Sequence, residues 1–296
     1  MIHQVKSAHQ RQTEAPGNEA GKRRGLHLAL LIAVLSGAVF LYLAILTPDR
    51  FGAYHDDGIY VATARALANG EGHRLISLPY EPAQTKYPPF YTLLLSLIWR
   101  VYPQFPENLT AMVLLSIVAT LGFMVITFRY LTDAGYANRW QALIVVALAA
   151  INWRTMILAT SIYSEMTYSA LSVAGLYLAE KYDKDRMRRG AGLLLGVIIG
   201  LAFLTRSSGI ALLIAVAAFY MLRRQLRRNL LSVGVASLFV VGWALWVYAN
   251  RTTAEGVNVA YYTSYLGFFS EAVSGLQAQL QASKLAVLIG IAFQNL

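Results

Sequence analysis

Cysteine is absent from all 296 residues, which excludes disulfides, thiolate zinc sites and cysteine nucleophiles and leaves the redox compartment unreadable. Charge is scarce: 14% of the residues are charged, against roughly 25% in ordinary soluble domains. Acids are scarcer still, 15 against 25 lysines and arginines. No glycine-rich phosphate loop occurs. What the chain has in excess is apolar surface, with 57% hydrophobic residues, more than a soluble core absorbs.

That surface comes in runs. Residues 26–46, 109–128, 141–159 and 230–248 each approach the ~20 apolar residues a helix needs to cross about 30 Å of hydrocarbon. The first run follows Lys22, Arg23 and Arg24 but is too long for a signal-peptide core and has no small-residue cleavage site after it, so it reads as a retained anchor. The surplus of ten positive charges could point to nucleic acid, and its location decides. With residues 1–25, 129–140, 180–190 and 223–229 on the cytoplasmic side, that side holds 16 of the 25 basic residues and six acids, while the rest of the chain is neutral. This is the positive-inside asymmetry. It leaves no basic patch for nucleic acid and predicts a multi-pass protein of the cell membrane, expected to be a prokaryotic plasma membrane, with a cytoplasmic N-terminus.

Residues 1–25 are polar and are expected to be a disordered cytoplasmic tail. Residues 26–296 are expected to form one transmembrane domain with spans near 26–46, 109–128, 141–160, 163–180, 191–205, 209–222 and 229–249. Two long loops, 47–108 and 250–283, then lie outside, the second rich in Tyr261, Tyr262 and Tyr265. In the first loop, Tyr60, Val61, Ala64, Leu67 and Ala68 recur at helical spacing, which predicts an amphipathic helix on the membrane surface over 57–69, ended by Gly70 and Gly72. The apolar stretch 90–102 is too short to cross, and crossing would carry the basic clusters outside, so it reads as interfacial or re-entrant. The run 285–293 stops before it could span, so a missing C-terminal part is expected.

Four places carry candidate chemistry. Asp56 and Asp57 open the surface helix, where two roles fit: helix capping, or deprotonation of an acceptor hydroxyl. Lys86 precedes a helix opened by Pro88 and Pro89, where the dipole favours an anion; it either meets a phosphate or reaches the headgroups as an interfacial lysine. Arg206 sits between two apolar runs, where an unpaired charge costs about 2.5–3.5 kcal/mol, so either a phosphate compensates it or it reaches the outer headgroups. Glu165 at the outer start of a span lines a cavity or caps its helix. His55 and His73 lack paired ligand spacing, so no cofactor is expected and a divalent metal has no support in the sequence.

The order of Tyr54, His55, Asp56, Asp57 and Tyr60, then Asn69 and Gly70, then Lys86, Tyr87, Pro88 and Pro89 resembles the first outer loop of GT-C fold glycosyltransferases. It is similar in particular to the group containing protein O-mannosyltransferases and the aminoarabinose transferase of lipid A. Ser164 and Glu165, and Leu204, Thr205 and Arg206, resemble that group's later signatures, and the likeness covers roughly residues 27–230. It implies an all-α polytopic bundle with interfacial helices, a polyprenyl-phosphate sugar donor and an inverting hexosyl or pentosyl transfer to a lipid, glycan or protein. It also implies Asp56 as the catalytic base with Asp57 in support, Lys86 and Arg206 on the donor phosphate, and Tyr60, Tyr87 and Glu165 lining the cavity. Thr85 stands where aminoarabinose transferases have glutamate, so neither a family zinc site nor the same sugar carries over. The rival readings are a transporter or lipid-binding membrane protein, disfavoured by the lack of inverted repeats, and a truncated inactive transferase.

Overall fold

In the computed structural model, which describes residues 16–47, 51–53, 55–184, 189–250 and 262–264, the apolar runs become helices. In chain order these are α1 (Pro16–Ala44), α2 (His55–Asn69), α3 (Pro89–Val101), α4 (Asn108–Asp133), α5 (Arg139–Ile151), α6 (Trp153–Ala159), α7 (Glu165–Lys184), α8 (Arg189–Thr205), a 3₁₀ turn (Ser207–Gly209), α9 (Ile210–Leu222) and α10 (Leu226–Ala249). Among the described residues there is no strand, only a single antiparallel bridge between Arg74 and Ala83. The pattern of burial is that of a protein solvated by lipid. Phe40, Ile144, Leu148, Ile214 and Leu238 are exposed, whereas Ser116, Thr120 and Ser232 are buried against other helices.

Among the described residues three helices are long and apolar enough to cross a membrane: Gly25–Ala44, Asn108–Asp133 and Leu230–Ala249. The expected span 141–160 is corrected: it breaks at Asn152 into α5 and α6, bent by 65°, and counts as a fourth crossing only if the bent pair is taken as one. The cause is local. Asn152 is extended, and its side chain accepts from the amides of Arg154 and Thr155 at 3.0 and 3.4 Å, starting a new helix. The buried Tyr42 hydroxyl donates to the Ala150 carbonyl at 2.9 Å, satisfying an acceptor freed at the end of α5. The span expected at 163–180 lies within α7, which is not among the crossing candidates; it starts at Glu165 and packs between α4 and α8, so it does not need a uniformly apolar surface.

Helix α1 begins at Pro16, with proline at its first position, so it takes in the end of the polar stretch 1–25. Residues 1–15, most of the second outer loop including Tyr261 and Tyr265, and the apolar run 285–293 lie outside the described residues.

Helix α3 is 13 residues, about 20 Å at 1.5 Å per residue, and so too short to cross, as expected of this stretch. It packs on α2, and Tyr60, Tyr91, Leu95, Met112 and Ile162 form the core beneath the first loop. On the other side of the site, α8 and α10 approach closely because Gly192, Gly196 and Gly200 face Leu231, Val235 and Phe239. A Cβ on Gly196 would stand 2.7 Å from the Ser232 carbonyl oxygen. After α8 the chain turns sharply: Arg206 is extended, and the Gly209 amide donates to its carbonyl at 2.8 Å.

Candidate active site

Helix α2 begins at His55, which places Asp56 and Asp57 in its first turn. The two carboxylates do different things. Asp57 is buried, and its oxygens accept from the backbone amides of Gly52 at 2.8 Å and Gly58 at 2.7 Å. Burial raises its pKa, the two amides oppose that, and Asp56 adds a smaller upward push. Asp57 borders a small cavity with Phe51, Leu109, Thr110 and Thr160. Both of its oxygens secure the loop that enters α2, so the helix-end role weighed for the pair falls to Asp57 rather than to Asp56.

Asp56 points elsewhere. Its Oδ1 accepts a hydrogen bond from the Tyr87 hydroxyl at 2.6 Å, the length of a charge-assisted bond. The Tyr87 ring meets that of Tyr60 edge-on, 5.2 Å between centroids, and the Lys86 ammonium lies 5.3 Å from the Tyr87 ring centre. Lys86 is buried; burial lowers its pKa, and the Asp56 charge opposes the shift.

The strap that carries Lys86 and Tyr87 is held by hydrogen bonds that its sequence makes necessary. Pro88 and Pro89 have no amide to offer, and the amides just before them turn to one side chain. The buried Gln84 carboxamide oxygen accepts from Lys86 N at 2.8 Å and Tyr87 N at 3.3 Å. Upstream, a short hairpin closes through Leu75 N to Pro82 O and Gln84 N to His73 O, both 2.9 Å. The His73 ring Nε2 lies 3.0 Å from the Tyr87 carbonyl, and burial pushes its pKa down to about 4, so the ring is neutral and Nε2–H is the donor. Residues 262 and 263 meet the strap as well. Thr85 N and Oγ1 donate to the Thr263 carbonyl at 3.1 and 2.6 Å, and Gln84 Nε2 donates to the Tyr262 carbonyl at 3.2 Å.

The opposite wall comes from α7 and the turn after α8. The fully buried Ser164 joins Tyr60 to Arg206: its Oγ is 2.8 Å from the Tyr60 hydroxyl and accepts from Arg206 Nη1 at 3.2 Å. The same Nη1 pairs with Glu165 Oε1 at 2.6 Å, while Glu165 Oε2 is buried without a hydrogen-bond partner. Burial raises the Tyr60 pKa far above its ordinary range, so its hydroxyl stays protonated. Asp56 is near enough to interact electrostatically with both Lys86 and Arg206. Among the described residues, no three His, Asp or Glu side chains converge as metal ligands would.

Of the residues singled out from sequence, Asp56, Tyr60, Lys86, Tyr87, Glu165 and Arg206 thus come together through direct contacts or charge, and Asp57 is turned to the backbone. Ser164, Gln84 and His73 had no assigned role. The signal for Gln84 was its place two residues before Lys86, where the following prolines leave neighbouring amides in need of an acceptor.

A family model, glycosyltransferase family 87, matches residues 85–294. No curated protein matches the chain. Among solved structures, the oligosaccharyltransferase of Archaeoglobus fulgidus, tethered to an acceptor peptide, superposes with a TM-score of 0.51 at 12% identity over 88% of this chain and 38% of its own. ArnT from Cupriavidus metallidurans, bound to undecaprenyl phosphate, superposes with a TM-score of 0.52 at 17% identity over 82% of this chain and 44% of its own. The fold is the GT-C fold expected from the first loop, and the chain spans less than half the length of either of these proteins.

Proposed function

The chain belongs to glycosyltransferase family 87, and from that premise we propose that it is a membrane glycosyltransferase taking its sugar from a polyprenyl-phosphate carrier, with Asp56 as general base. The observation that carries this is the strap: Tyr87 fixes one oxygen of Asp56 at 2.6 Å, and the adjacent Lys86 places a buried cation beside it. A base on α2 and a phosphate-binding charge on the strap therefore stand next to each other, joined through Tyr87. The undecaprenyl phosphate in the Cupriavidus structure supports the same class of carrier here.

In this reading the acceptor hydroxyl gives its proton to Asp56 Oδ2 as its oxygen attacks the anomeric carbon. The bond from that carbon to the phosphate oxygen breaks, and the polyprenyl phosphate leaves with the electron pair. A single displacement inverts the anomeric configuration. The leaving phosphate is a weak base and needs no carboxylic acid to protonate it, unlike the leaving group in glycoside hydrolysis with its paired acids. It needs compensating positive charge in a dry site, which Lys86 supplies together with the N–H groups of Arg206 that face neither Glu165 nor Ser164. Tyr60 and Ser164 hold Arg206 in register with the base. The sugar is a hexose or a pentose. The loop 47–108 and the site lie on the extracytoplasmic face, with the N-terminus in the cytoplasm, because that arrangement keeps the basic segments inside.

The test is Asp56→Asn. Asparagine keeps the shape and still accepts from Tyr87, so insertion and thermal stability are retained, while transfer from a polyprenyl-phosphate hexose in membranes falls about 10²- to 10⁴-fold. Wild-type transfer by Asp56→Asn would remove the proposed base.

A further inference from the structure

At the end of the bundle away from Asp56, helices α1 and α4 splay apart and leave a crevice of about 660 Å³. That is within the range of about 300–1,000 Å³ usual for small-molecule sites. Leu109 belongs to the core under the active site, and Arg129, one full helix later on α4, borders the crevice. The separation along α4 is about 30 Å at 1.5 Å per residue, the thickness of the hydrocarbon layer, so this is a different place serving the opposite leaflet.

Its walls differ in chemistry. One side is apolar, with Leu28, Leu31, Ile32 and Leu35 from α1 and Phe128 from α4; the mouth carries Arg129, Asp133 and Arg139. Asp133 accepts the Tyr177 hydroxyl through Oδ2 and keeps its negative charge, so the mouth carries a net charge of +1. Neither arginine has an ion-pair partner among the described residues. Arg139 is also the first residue of α5, whose amides Asn138 and Gln141 cap reciprocally, so the positive end of that helix adds to the two guanidinium charges. An apolar slot whose mouth holds two arginines and one aspartate, with a net positive charge, matches an amphiphile with a net negative head. A zwitterionic lipid would bring its own cation to a mouth that already has a positive surplus.

We propose that this crevice is a binding site for an anionic glycerophospholipid, with an acyl chain along α1 and the phosphate between Arg129 and Arg139. A basic residue at a membrane surface favours anionic lipid by about fivefold; with Asp133 offsetting one arginine, the expected preference over zwitterionic lipid is about fivefold.

The experiment is native mass spectrometry of the full chain in detergent with equal amounts of phosphatidylglycerol and phosphatidylcholine. Expected is one retained phosphatidylglycerol per chain, a preference that collapses in the double variant R129Q/R139Q, and no displacement by millimolar inorganic phosphate. Ile32→Trp, at a position 55% exposed on the crevice wall, tests the apolar half without disturbing the core and should lose the bound lipid with both arginines in place. Size-exclusion profiles matching the wild type exclude misfolding as the cause. Equal retention of both lipids by the wild type, an unchanged preference in R129Q/R139Q, or displacement by free phosphate would each overturn the assignment.

Discussion

Replacing Gly209 with alanine tests whether the turn after α8 sets the position of Arg206. Gly209 has φ −59°, an ordinary helical value, so alanine suits the backbone and by chain entropy alone would stabilise the protein by about 0.4–1 kcal/mol. Space decides the outcome. The new Cβ would lie 2.5 Å from Phe203 Cα and Phe203 N and 2.7 Å from the Ala202 carbonyl carbon, all backbone atoms that no rotamer change can move aside. Carbon atoms rest at about 3.5–4.0 Å, so the turn must open by about 1 Å. Overpacking of this kind costs about 1–3 kcal/mol, which outweighs the entropic gain. Arg206 is three residues away and accepts the Gly209 amide through its carbonyl, so the displacement reaches the contacts with Ser164 and Glu165. A 1 Å misplacement of a positioning group lowers turnover by about 10²-fold. The assay pairs thermal unfolding in detergent, followed by tryptophan fluorescence, with sugar transfer. Gly122→Ala serves as control, because nothing lies within 4 Å of a Cβ there. If Gly209→Ala melts and turns over like Gly122→Ala, the turn does not hold Arg206.

Ser164→Ala leaves the buried Tyr60 hydroxyl without its partner, which costs about 1–3 kcal/mol; removing both hydroxyls in Tyr60→Phe/Ser164→Ala restores much of that, and strictly additive losses would count against the link. His73 has its pKa lowered to about 4 in the folded state, below the ordinary 6.5, so folding favours the neutral ring. Stability is therefore undiminished above about pH 6.5 and falls by about 3 kcal/mol as pH drops to 4. Unfolding midpoints at pH 7.5 and 4.5 should differ less in His73→Gln than in the wild type, and equal differences would refute this. Gly196→Ala should destabilise by about 1–3 kcal/mol because its Cβ meets the Ser232 carbonyl, whereas Gly234→Ala, with open space around it, should not; circular dichroism melts compare the two.

The site was legible where its chemistry demanded rare residues in a rare setting. A lysine before paired prolines, an arginine between apolar runs and adjacent aspartates at a helix start stand out in a chain with 14% charged residues. Helix periodicity alone does not say which aspartate faces the site, because neighbouring positions on a helix differ by about 100° and the packing of α2 chooses between them; only the resemblance named Asp56. Ser164 stood out only as half of a Ser-Glu pair without a role of its own, because its place between Tyr60 and Arg206, just before α7, is set by three-dimensional packing. The break at Asn152 was hidden by apolar neighbours on both sides, although an asparagine able to cap is the signal that could have revealed it. Charge asymmetry led to the short, non-crossing reading of α3, since it bears on the whole chain rather than on one helix.

The hydrogen bonds from Gln84 and Thr85 to Tyr262 and Thr263 also set a timetable. Each partner is 178 residues further along the chain. At about 5–20 residues per second, synthesis delivers it roughly 10–35 s after the strap itself. In that interval the segment bearing Lys86 and Tyr87 lacks its later partners while α4 to α10 are still being inserted. The nascent protein is therefore open to proteolysis at the strap, and a ribosome that stalls before residue 262 leaves an inserted bundle in which the segment bearing Lys86 and Tyr87 is unfinished.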